Sequence, residues 1–202
     1  MRRKMSQRLS DPAPGPRDDA ILDAALASVL AVGVRRTTAA DIARRAGVSR
    51  MTLYRRFPDS ASVVQALMTR EFAGALARAA AESAGRPTGR ERAVAAVVRT
   101  LELLDESPLL RRILDVDPEL LLPYVVHRLG TFQRLALDGL SDLLRDGMAD
   151  GSVRLAEPAR LAAAIELAVR GHALAAAAEE RALPAADARE ELGRMLDRYL
   201  AP

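Results

Sequence analysis

The chain has no cysteine and no tryptophan. Without thiols there can be no disulfide, no thiolate metal site and no thiol redox sensor. Histidine is nearly as scarce. Two well-separated histidines offer no Ser–His–acid arrangement and no metal-ligand set, and no Gly-rich phosphate loop accompanies them. Catalysis, a cofactor and a bound metal are therefore not expected. No apolar stretch reaches the roughly 18 residues that span a bilayer. The N-terminal MRRKMSQRLSDPAPGPR carries charge with no apolar core behind it, so it does not read as a secretory leader. Residence in the cytoplasm is the expectation, with no membrane partner. Strand signals are missing too. Aromatics make up 3% of the chain, and no segment alternates polar and apolar residues with β-branched enrichment.

What is present favours helix. Half of the 202 residues are hydrophobic, and Ala, Leu and Arg dominate, all good helix formers. That length suits one to two small domains with a sizeable core. The net charge is only +3, but it is unevenly placed. Residues 1–60 hold 12 Lys/Arg against 6 Asp/Glu, whereas residues 61–202 hold 18 against 21. A basic surplus confined to one end is the electrostatic footprint expected of nucleic-acid binding.

The basic end also contains the most informative stretch, TTAADIARRAGVSRMTLYRRFPDS at residues 37–60. It reads as two short helices joined by a glycine turn, with a third helix starting directly after. Thr38 and Asp41 form a capping-box-like start for the first, and Ser49 is a good N-cap for the second. Ala43 permits close approach, Gly47 supplies a left-handed turn, and Leu53 plugs back against Ile42 and Val48. With Leu53 and Phe57 turned inward, Arg50, Met51, Tyr54 and Arg55 are left outward. This is a helix-turn-helix, in which the N-terminal residues of the second helix meet base edges in the major groove.

The rest of the chain continues as helices separated by Pro and Gly. Residues 1–16 read as a disordered basic arm, Asp-Pro-Ala-Pro-Gly-Pro being unable to hold a helix. The arm serves either as a groove or phosphate contact or as a solubilising tail. A helix over 17–32 has an apolar stripe of Leu22, Leu26, Val29 and Leu30, with Gly33 ending it. A long helix from Ser60 to about Ala81 devotes Val63, Val64, Leu67 and Met68 to the first core and Phe72 and Leu76 to the next. A helix over 90–106 shows Val94, Val97, Val98, Leu101 and Leu104 on one broad face. Further helices are expected from Pro108 to near Asp115, up to Arg145, from Pro158 to Arg181 and from Ala185 to Leu200, with Gly147 and Gly151 bracketing a loop.

The order G-V-S-x-x-T-L-Y-x-x-F-P-D, Gly47 to Asp59, resembles the DNA-binding signature of the TetR/AcrR family of transcriptional regulators. The resemblance implies an all-α fold in two parts. A three-helix DNA-binding domain over 17–60 is followed by a helical effector-binding and dimerisation domain over 61–202. It further implies a repressor that binds a near-palindromic double-stranded DNA operator and is released by a small hydrophobic or amphipathic effector. The implied homodimer forms through the last two helices, with Leu161, Ile165, Leu167, Leu174, Leu192, Met195 and Leu196 supplying apolar area. Thr38, Arg50, Met51, Thr52, Tyr54 and Arg55 match the family's operator-contacting positions, and Ser49 joins them as a candidate. The chain departs from the pattern at Ser60, where many members carry lysine, and at Ala39 and Ala40. A phosphate clamp at that point then rests on backbone N–H groups alone, with Arg35 and Arg36 available to compensate.

Candidates to line an effector site are Arg99, Tyr124, His127, Phe132, Arg170 and His172. Each has a plainer reading as core filler or solvated side chain. A different class of function is a helical module whose basic end binds a protein or an anionic membrane without specific DNA recognition. It predicts that Arg50 and Tyr54 are interchangeable with other polar residues.

Overall fold

A computed structural model describes residues 16–120, 130–176 and 182–202. Among them are nine α-helices, one 3-10 turn and no strand. The helices are α1 (Pro16–Val32), α2 (Ala39–Arg45), α3 (Arg50–Arg56), α4 (Ser60–Ser83) and α5 (Gly89–Asp105). They continue with α6 (Pro108–Val116), α7 (Thr131–Ala149), α8 (Pro158–Ala176) and α9 (Ala185–Leu200), and the 3-10 turn is Pro118–Leu120. The expected basic arm over 1–16 lies outside the described residues except for its last residue, Pro16, which opens α1.

Packing divides the chain into two compact units, and not at residue 60. The first unit runs through Glu71 and also includes Pro108–Leu120; the second comprises Phe72–Ser107 and the chain from Leu121 onward. The units differ from a linear boundary at residue 60 over residues 61–71 and Pro108–Leu120, because a linear reading treats each domain as one continuous stretch. The helix α6 is short and strongly amphipathic, and it buries Leu109 and Ile113.

In the first unit, α1 begins with Asp18 and Asp19 in its first turn, where carboxylates complement the helix dipole. Its inner face is Ile21, Leu22, Ala25 and Val29. Leu30, expected in the apolar stripe, is exposed instead. Small Ala24 and Ala25 occupy the buried side, so the stripe rotates toward residues that let neighbours approach. Val63, Val64 and Leu67 of α4 complete this core, while Met68 is half-buried.

The second unit has its own core, built from Ala93 and Leu101 of α5, Leu144 of α7, Val153, Leu161, Ala162 and Ile165 of α8, and Leu192, Leu196 and Leu200 of α9. The broad valine face expected on α5 is only half-buried. Its buried positions are instead Gly89, Ala93, Ala96, Thr100, Leu101 and Leu103. Small residues mark the line of closest approach, and the valines flank it. Gly147 is also not a loop residue. It lies inside α7, buried, and a Cβ on Gly89 would stand 2.3 Å from its Cα and backbone N. The turn after α7 then caps α5: Asp150 accepts a hydrogen bond from the Gly89 N–H at 2.7 Å, and Ser152 Oγ from the Arg90 N–H at 3.0 Å. These contacts hold the Asp150 carboxyl below its ordinary range, through hydrogen bonds from the Ser152 side chain and the Gly89 and Ser152 backbone.

Candidate nucleic-acid interface

The helix-turn-helix is built as its residues dictate. Thr38 caps α2, accepting from the Asp41 N–H at 3.2 Å, and its hydroxyl donates to the Asp41 carboxylate at 2.9 Å. Arg44 donates to the same carboxylate at 3.0 Å. The bonds from Arg44 and Thr38 hold Asp41 ionised to lower pH than usual. Gly47 adopts φ +66°, and the Val48 N–H closes the turn on the Ala43 carbonyl at 3.0 Å. Ser49 caps α3, accepting from the Thr52 N–H at 3.0 Å, and the two hydroxyls lie 2.9 Å apart. Ile42, Ala43 and Leu53 are buried, so α3 is anchored by one central leucine.

That anchor fixes which side chains face out. Met51 is 77% exposed and Tyr54 50%, an unusual display of apolar surface on a helix of seven residues. Arg50 and Arg55 are exposed beside them. The neighbouring cations are differently placed. Arg44 is paired with Asp41, and Arg56 is held by Asp18 of α1 at 3.2 Å. Arg50 and Arg55 carry no ion pair among the described residues. Of the seven sequence candidates, Arg50, Met51, Tyr54 and Arg55 thus form one outward face. The hydroxyls of Thr38, Ser49 and Thr52 are already engaged in capping. Phe57 ends α3 half-buried.

Two expectations about phosphate contacts change. The N-terminus of α4 is occupied by the chain's own Asp59, whose Oδ1 accepts from the Ser62 N–H and hydroxyl, both at 2.7 Å. These bonds lower the Asp59 carboxyl from its ordinary value. The backbone N–H groups there are not a vacant cradle. Arg35, offered as compensation, is instead paired with Glu119 and with Asp117, the latter at 3.5 Å. Only Arg36 of that pair stays exposed without an ion pair among the described residues.

Sequence reasoning missed Asp117. It is 1% exposed, and it accepts a hydrogen bond from the Val34 N–H at 2.7 Å across 83 positions of chain. A lone aspartate before proline carries no signal of that partnership.

The effector candidates among the described residues each have partners of their own. Arg99 donates to Glu82 at 2.6 Å and to Glu102 at 2.8 Å. Its hydrogen bonds to the Glu102 and Glu82 carboxylates push its guanidinium further into the charged form. Phe132 meets Phe72 edge-on, with ring centroids 5.5 Å apart. Arg170 is paired with Glu166, which also accepts from Gln133, next to Phe132, at 3.3 Å. His172 is half-buried on α8. Tyr124 and His127 lie outside the described residues.

Residues 21–67 match the family described as bacterial regulatory proteins, tetR family. An HTH-type transcriptional regulator of Mycobacterium bovis is 34% identical over 180 residues, 89% of this chain and 92% of that one. The chain belongs to the TetR family. It is accordingly a transcriptional regulator with a DNA-binding helix-turn-helix, not an enzyme. The fold of this TetR-family regulator is shared by solved structures of low identity. The R. erythropolis transcriptional repressor QsdR superposes with TM-score 0.70 at 18% identity, covering 91% of this chain and 94% of that one. The SmeT–triclosan complex does so with TM-score 0.65 at 22% identity, covering 93% of each. Among the described residues no helix is long and apolar enough to cross a membrane.

Proposed function

We propose that this regulator is a dimeric repressor that reads a near-palindromic operator with α3 and leaves it when a small apolar molecule binds the second unit. The observation that carries the reading is the outward face of α3. Arg50, Met51, Tyr54 and Arg55 stand free in solvent while Leu53 is fully buried. An exposed methionine and tyrosine beside two guanidiniums without an ion pair among the described residues suit a groove floor, where Arg pairs with guanine and apolar groups meet thymine methyls. Thr38, Ser49 and Thr52 act mainly by shaping the head, their hydroxyls being committed to caps.

Two heads are needed to read two half-sites one helical turn, about 34–36 Å, apart. The dimer surface assigned here is on α8 and α9. Leu161, Ile165, Leu192 and Leu196 serve the subunit's own core, whereas Leu167 at 63% and Met195 at 52% exposure are available as apolar anchors; the side chain of Leu174 lies outside the described residues. Ala159, Ala163, Leu167 and Gly171 form an exposed row at four-residue spacing along α8, a surface on which another helix can lie close. The effector is read as uncharged, because the guanidiniums of Arg99 and Arg170 already face carboxylates. Release follows only if that molecule binds the two spacings of the heads with different affinity.

Selection of bound duplexes from a random pool by the purified protein tests the reading. A palindromic consensus is expected. Arg50→Ala and Tyr54→Ala should each then lose about 1–3 kcal/mol of binding to it. A pool that yields no enriched sequence would falsify the assignment. A thermal-shift panel of neutral apolar compounds, followed by operator release, tests the effector half.

A further inference from the structure

We propose that Asp117 is a positioning residue for operator binding, holding the turn that launches the helix-turn-helix. The inference rests on the reading above and extends it to a residue outside the matched region 21–67.

The turn between α1 and α2 is closed by local bonds that leave one of its amides, the Val34 N–H, to a partner from elsewhere in the chain. Gly33 ends α1 in the left-handed region at φ +84°, its N–H bonded to the Val29 carbonyl at 2.8 Å. Thr37 closes the loop from the other side, its N–H on the Val34 carbonyl at 3.0 Å and its hydroxyl on the Gly33 carbonyl at 2.7 Å. The Val34 N–H points away from both. Its acceptor is the Asp117 carboxylate, delivered from the end of α6, where the Asp117 N–H is itself fixed on the Ile113 carbonyl at 2.9 Å. The fit is close. A Cβ on Gly33 would meet Asp117 Oδ2 and Val116 Cγ1, each at 3.0 Å. Arg112 of α6 donates to the Ala31 carbonyl at 3.3 Å, a second tie between the same two segments.

A buried carboxylate is costly unless its lone pairs are used. Here one oxygen takes the Val34 N–H and the other faces Arg35. Hydrogen bonds to charged acceptors are among the stronger ones. With Asp117 removed, the Val34 N–H is left without its acceptor, and the turn that sets the entry angle of α2 loses its outside restraint. The head then keeps its phosphate-attracting charge but no longer holds α3 at one angle. Base readout needs that angle, whereas sequence-independent attraction does not. The expected signature is therefore a loss of discrimination, not of DNA binding as such.

The test uses full-length protein, the duplex selected by the wild type and an unrelated duplex of equal length. Asp117→Ala should weaken binding to the selected duplex by roughly tenfold or more, the scale of one lost charge-assisted bond, and leave the unrelated duplex nearly unchanged. Asp117→Asn keeps an acceptor for Val34 and should stay within about threefold of wild type. A selected-duplex affinity of Asp117→Ala equal to wild type overturns the proposal, as does equal loss on both duplexes. Hydrogen exchange of the Val34 amide decides the matter without DNA or a variant that must fold. Slow exchange in the wild type is expected, and exchange at the rate of a free loop overturns the latch. A wild type that selects no duplex yet protects Val34 would instead indict the operator reading.

Discussion

At the scale of single residues, the head is governed by carboxylates that shape it without adding positive charge. Asp41 braces the Thr38 cap of α2 and Asp59 caps α4, and each has its pKa lowered from 3.8 by hydrogen bonds, from Arg44 and Thr38 in one case and from Ser62 in the other. A folded-state value below the unfolded one means that stability is present above the ordinary value and lost as pH falls through the lowered one. Acid titration followed by circular dichroism should show helix loss in the head beginning only below about pH 4. Asp59 has a second effect. Its negative charge stands at the start of α4, so Asp59→Asn, which keeps a capping oxygen, is expected to raise DNA affinity about twofold at low salt. The gain should vanish at high salt. An affinity unchanged at all salt concentrations places Asp59 away from the phosphates. Leu53→Ala removes the buried anchor of α3 and should cost about 2–5 kcal/mol of stability by denaturant titration.

At the scale of elements, close crossings decide more than hydrophobicity does. The α5–α7 approach tolerates no side chain at either glycine: Gly89 faces the Gly147 backbone, and a Cβ on Gly147 would come within 2.4 Å of Val153 Cγ2. Gly89→Ala should destabilise the protein by about 1–3 kcal/mol, read as a lower midpoint in urea with unchanged slope. The element order, the caps at Thr38 and Ser49 and the turn at Gly47 were all legible in the sequence, because each follows from local chemistry. The outward set Arg50, Met51, Tyr54 and Arg55 was legible too, since one buried leucine fixes the phase of a short helix. The small-residue crossing was not. Glycines at 89 and 147 carry the same sequence signal as loop glycines, and only tertiary approach distinguishes them. The apolar residues of α8 and α9 misled for a related reason. Hydrophobicity marks Leu161, Ile165, Leu192 and Leu196 for burial but does not say whether the burial is within one subunit or between two.

At the scale of the whole molecule, that distinction becomes testable. Leu167 and Met195 are exposed where their neighbours are buried. Leu167→Glu should therefore yield monomers in analytical ultracentrifugation with the helical content intact. It should also lower affinity for a two-half-site duplex far more than for a single half-site. A dimer that survives the substitution moves the interface elsewhere. The path of the backbone has a consequence of its own. The chain leaves the reading head after Glu71, returns for Pro108–Leu120 and departs again, so three peptide linkages join the halves where a simple two-domain regulator has one. Transplanting only the N-terminal portion onto a foreign sensor would strand the Val34 amide. A working chimaera has to bring the returning segment along with it.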